Sequence, residues 1–166
     1  MKHGMKMAGM ALAVMVGAAQ AQTTELDGIG VSRDVPCNGQ DVSISGNGNR
    51  FRLSGGCGQV VVHGSEQRIE LGDASRVEIT GVGNQVQAGR INQLDVSSTG
   101  HRVKATLHGE AERPAQVMVY GAENILTLGF EGPAQVDISG TGQQLDWRGD
   151  EPQISTSGVD HRIERH

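Results

Sequence analysis

The chain of 166 residues is poor in aromatic residues and cysteine, and each scarcity excludes something. One Trp, one Tyr and two Phe leave few platforms on which sugar rings could stack. Two cysteines, Cys37 and Cys57, with only His63 nearby, fall short of a structural metal set, which needs four ligands. Lys and Arg number 14 against 19 Asp and Glu, so the cationic surplus required for non-specific nucleic-acid binding is missing. The sequence contains no G-x-x-x-x-G-K-[ST] phosphate loop and no Ser-His-Asp set at recognisable spacing. The apolar stretch 7–18 is shorter than the roughly 20 residues of a membrane span.

Against these absences stands one abundance, a repeated block. Asp41–Leu53 reads D-V-S-I-S-G-N-G-N-R-F-R-L: an alternating segment, a glycine turn and a second alternating segment. The block returns from Gln59, Arg76, Gln93, Gln116, Gln135 and Gln153, at spacings of 18, 17, 17, 23, 19 and 18 residues. Its second position reads Val42, Val60, Val77, Leu94, Val117, Val136, Ile154, and its eleventh Phe51, Ile69, Val86, Val103, Leu126, Leu145, Ile163. Within a block the period is two, so apolar side chains share one face of a strand. A lone block has nothing to bury that face against, whereas stacked blocks place each apolar residue on its own copy. The pattern predicts an all-β, single-domain parallel β-helix of about seven coils, each aliphatic residue contributing roughly 1.5–3 kcal/mol of burial. Glycine at the sixth position (Gly46, Gly64, Gly81, Gly121, Gly140, Gly158, with Ser98 the exception) suits a corner of positive φ or close backbone approach. The ninth position reads Asn49, Gln67, Asn84, His101, Asn124, Gln143, His161 and is expected to turn inward as a polar ladder bonded to the corner backbone. A ligand site made from His101 and His161 would have to bridge three coils, roughly 14 Å.

In chain order, residues 1–21 read as a secretory signal: Lys2 and Lys6, an Ala-rich apolar run, then Ala19-Gln20-Ala21. Cleavage there leaves 12 basic against 19 acidic residues, a net charge of −7, on a protein exported to the periplasm or beyond. Residues 22–40 match the repeat poorly and are expected as an N-terminal cap, with 41–166 the β-helix proper. Cys37 and Cys57 lie one coil apart, near enough for a disulfide that pins this cap, and export permits the bond. At the other end Thr156 and Arg165 replace aliphatics, and Trp147 is placed to plug the wide end of the core. Both features read as blunting an open sheet edge.

The stretch C-N-G-Q-D-V-S-I-S-G-N-G-N-R-F-R-L-S-G-G-C-G-Q-V-V-V-H-G resembles a family of secreted bacterial proteins, the domain of unknown function family 3060. The resemblance rests on a Cys-x-Gly lead, V-x-V-x-G-x-x-N repeats and a second Cys one coil later. It implies fold and export only, since the family has no established activity to carry over.

Two outward features carry possible chemistry. Glu78 and Asp95 occupy the third position of adjacent blocks, about 5 Å apart at the strand spacing, close to the carboxylate separation of retaining glycosidases. Arg76 neighbours Glu78, Asp137 lies two blocks beyond Asp95, and no opposing wall of a cleft is evident. The second feature is an acidic flank: Glu110, Glu112 and Arg113 in an insertion after the fourth block, with Glu131, Asp150 and Glu151 at matching corners and His108 among them. It reads either as a solvated loop edge or as a cation or polar-ligand site. The expectation is a non-catalytic structural or binding protein of the cell envelope, its partner an envelope protein or glycan, with no cofactor and no metal. The alternative is a carbohydrate-active enzyme, lyase or hydrolase, built on Glu78 and Asp95.

Overall fold

The computed structural model describes residues 22–166. The expected signal segment and its cleavage point lie outside the described residues. Fifteen parallel-paired strands wind into one β-solenoid of eight coils, and among the described residues there is no helix. Each coil contributes two strands separated by the glycine corner, and a return turn leads to the next coil. The second-position column runs in unbroken register from Val42 through Val60, Val77, Leu94, Val117 and Val136 to Ile154. The eleventh-position column does the same from Phe51 to Ile163. Both columns are buried until the last coil.

Residues 22–40, expected as a cap outside the repeat, wind as a full first coil. Thr23–Leu26 pairs with Asp41–Ile44, and Ser32–Pro36 pairs with Arg50–Ser54, each in the register of later coils. The count therefore rises from about seven to eight. The match to the repeat is poor because an end coil has one neighbour only, and its inward positions carry Thr24, Val31 and Arg33 beside Leu26. The disulfide Cys37–Cys57 forms at the return turn with a Cα separation of 5.0 Å.

At the corners, a Cβ on Gly64 would overlap the carbonyl oxygen of Gly46, one coil below, and its φ is +122°. Glycine is thus required by contact as well as by conformation. Ser98 takes the same position at φ +82°. There the pairing with the coil below lapses: the ladder passes from Ile79↔Val96 to Val82↔Thr99 with nothing between. The same lapse occurs at the all-glycine corner between Ile44↔Val62 and Asn47↔Ser65, so it is not the mark of the serine alone.

From Asn49 to Gln143 the ninth-position side chains are buried, as expected, and His161 on the last coil is half-buried. All but Gln67, which accepts from the Asn49 side-chain amide, and Asn124, which donates to the Ser98 carbonyl, follow one bonding pattern. The side chain accepts a hydrogen bond from the backbone N–H of its counterpart one coil earlier: Gln67 to Asn84 Oδ1 (3.0 Å), His101 to Asn124 Oδ1 (2.9 Å), Asn124 to Gln143 Oε1 (3.1 Å). It donates to the carbonyl four residues before it, as Asn84 Nδ2 does to Thr80 (3.0 Å). The ladder satisfies corner N–H groups that neither strand reaches.

Candidate functional site

The solenoid presents two outer sheet faces and an edge of return turns. On the first-strand face, Glu78 and Asp95 stand in direct register on adjacent coils. Arg76 lies against both, its guanidinium 2.8 Å from Asp95 Oδ2 and 3.6 Å from Glu78 Oε2. Gln93 Nε2 donates to the same Asp95 oxygen at 3.2 Å. On the following coil, Met118 and Tyr120 stand exposed where a catalytic wall would continue. Glycosidase carboxylates flank the scissile bond from opposite sides. Here the two carboxylates lie side by side on one surface, drawn to one guanidinium.

The acidic flank does not converge. Glu110 bonds Arg113 within its own tight turn at 3.4 Å, with backbone bonds in both directions between the two residues. Glu131 pairs with Arg90 at 3.0 Å and approaches His108 at 3.7 Å. Asp150 accepts the N–H of Gly132 at 2.7 Å, as Asp41 and Asp73 accept N–H groups of Gln59 and Arg90 at their own return turns. These aspartates hold corners, a role read off the coil-to-coil repetition. Glu112 and Glu151 are exposed. Among the described residues, the one group of three metal-capable side chains is Asp146, Glu164 and His166. Both Glu164 oxygens are taken by Arg162, at 2.8 and 3.0 Å, and this bond holds the Glu164 carboxyl below its ordinary range.

The second-strand face carries a feature that the sequence analysis passed over. Its tenth-position column reads Arg50, Arg68, Gln85, Arg102 on the second to fifth coils, and its twelfth reads Arg52, Glu70, Gln87, Lys104. Alternation turns every one of them outward, and all are exposed. Across these four coils the face holds five cations against one carboxylate, on a protein of net negative charge. Arg52 is bound by Glu70 at 3.1 Å. Among the described residues, no ion pair engages Arg50, Arg68, Arg102 or Lys104. A shallow groove of about 270 Å³ runs between the two columns, with Gln85, Gln87 and Thr127 among its lining. Aligning the blocks at the tenth position exposes the column. It escapes a search for paired carboxylates, and the net charge hides it.

The fold and this surface define a small parallel β-solenoid with one basic outer sheet. Residues 44–102 match the model of a family described as a protein of unknown function (DUF3060), the family that the Cys-led repeats resemble. No curated protein and no solved structure matches the chain.

Proposed function

We propose that the protein is an exported, non-catalytic solenoid of the cell envelope that binds a partner on an outer sheet face. The observation that carries this reading is the state of the carboxylate pair. Glu78 and Asp95 share one surface and one guanidinium, and among the described residues no second wall brings a substrate bond between them. A rigid, nearly flat sheet is suited to presenting side chains at fixed intervals, and poorly suited to enclosing a reacting bond. The signal-like residues 1–21 support export, and the disulfide is compatible with it. No helix of the described residues is long and apolar enough to cross a membrane.

Incubation with uronate-containing polysaccharides, followed by assay for new reducing ends and for the absorbance of unsaturated products, tests the reading. The expected result is no turnover, for the native chain and for Asp95→Asn alike. Cleavage that Asp95→Asn abolishes would establish the enzyme instead.

A further inference from the structure

We infer that the basic second-strand face is a binding site for a linear, carboxylate-bearing polysaccharide, held by Arg50, Arg68, Arg102 and Lys104. The inference rests on the binding reading above and names the ligand class for it.

Four observations carry it. First, most arginines off this face are engaged: Arg76 with Asp95, Arg90 with Glu131, Arg113 with Glu110, Arg162 with Glu164, and Arg165 stacked 4.9 Å from the Trp147 ring, with Arg33 and Arg148 the exposed exceptions. Arg50 and Arg68 stand in direct register with neither so paired. Like charges facing each other across a strand pair cost stability. An anionic ligand removes that cost, and a run of unpartnered cations over low-dielectric protein concentrates it there.

Second, the spacing is that of a polymer. Adjacent rungs are about 4.8 Å apart, so Arg50 and Arg68 are one rung apart and Arg68 and Arg102 two, or roughly 10 Å. Lys104 sits two residues along the same strand as Arg102, roughly 7 Å away. A chain laid along the solenoid axis meets cations at whole multiples of the rung spacing, one rung and then two, over roughly 15 Å. The planar guanidinium is matched to a carboxylate, which it binds through two parallel hydrogen bonds.

Third, neutral hydrogen-bonding groups are interleaved with the charges. Gln85 separates Arg68 from Arg102, Gln87 separates Glu70 from Lys104, and Thr127 follows Lys104. Amide and hydroxyl groups between cations suit a ligand whose acid groups alternate with hydroxyls.

Fourth, the apolar groups that a lipid surface would require are elsewhere. Met118 and Tyr120 stand on the opposite strand face, and Ile29, Val82 and Val159 stand at the glycine corner. Membrane-binding faces combine cations with apolar side chains that enter the interface. The basic face also has no aromatic side chain to stack on nucleic-acid bases.

The test is titration of the residue 22–166 protein with polygalacturonate, with neutral dextran and phosphatidylglycerol vesicles as parallel probes. The expected result is binding to polygalacturonate alone, weakening roughly ten-fold or more between about 50 and 200 mM salt as counterions are released. Arg68→Gln with Arg102→Gln and Lys104→Gln should weaken it by a similar factor or abolish it. Arg113→Gln, which removes a cation from the return-turn edge, should leave it unchanged. The three substituted side chains are exposed, so a cooperative melt with an unlowered midpoint verifies the fold of the triple variant. Polygalacturonate binding that the triple variant retains, or its absence from the native chain, overturns the inference. Vesicle binding alone overturns it in favour of a lipid headgroup. Dextran binding alone overturns it while leaving the non-catalytic binding reading in place. Release of oligosaccharides from polygalacturonate would instead overturn that reading.

Discussion

At the scale of the residue, His101 shows how the corner ladder tolerates a change of chemistry. Its Nδ1 accepts the N–H of Asn84 at 3.2 Å, and its Nε2 faces the Ser97 carbonyl at 2.9 Å. The N–H of Asn84 must donate, so the imidazole is neutral with its proton on Nε2, and it reproduces the acceptor and donor of an asparagine amide. A second proton would set N–H against N–H. Burial holds the His101 pKa below its ordinary value, against the raising effect of the Ser97 carbonyl. The sign follows from proton uptake: below a pH of about 6.5 the unfolded chain binds a proton that the folded chain refuses, so stability falls with falling pH. The loss is at most about 1.4 kcal/mol per pH unit, and it ends once the pH passes below the folded-state value. His101→Asn, the side chain used on the second, fourth and sixth coils, should lose less stability than the native chain between pH 7 and pH 5, by at most about 2 kcal/mol. Urea melts of both proteins at the two pH values would measure this.

At the scale of the element, the first coil depends on a covalent tie. It has one neighbour, its strands are mostly exposed, and Cys37–Cys57 closes a loop of 20 residues at its end. Reducing that bond, or replacing both cysteines by serine, should cost about 3 kcal/mol, the entropy of a loop of this length. Hydrogen exchange should quicken most in residues 22–40 and least in the central coils, and uniform quickening would contradict this account. The same coil marks where sequence reading stops. Inner coils are legible because Val60, Val77 and Leu94 answer to the same two neighbours, so identical side chains recur. The polar ladder is legible for the same reason, and so is the disulfide, whose cysteines lie one turn apart. An end coil is freed from that constraint, so Arg33 can stand where Phe51 and Ile69 follow, and the period disappears although the winding continues. Outer columns are harder still. Solvent accepts almost any side chain, so Arg50 and Arg68 resemble noise until the coils are known to align, while Glu78 and Asp95 attract notice as a recognisable chemical pair. That Arg76 lies between those carboxylates is a matter of rotamer, which spacing alone does not convey.

At the scale of the whole molecule, the two ends are alike in design. Arg33 occupies an inward eleventh position on the first coil, and Arg165 an inward thirteenth position on the last, laid over Trp147. Each places a charge where a further coil would need an aliphatic side chain, which discourages end-to-end pairing of the exposed strand edges. The native chain should therefore run as a monomer, whereas Arg33→Val combined with Arg165→Leu should form end-to-end assemblies that grow with concentration, as light scattering would detect. A double variant that stays monomeric would place the barrier in the poor match of the two terminal backbones. Between its stoppered ends the molecule is a ruler. Inserting or deleting one whole winding would change the distance spanned by the charged columns by a single fixed increment and leave the remaining marks undisturbed, so reach can be lengthened or shortened without redesigning any contact.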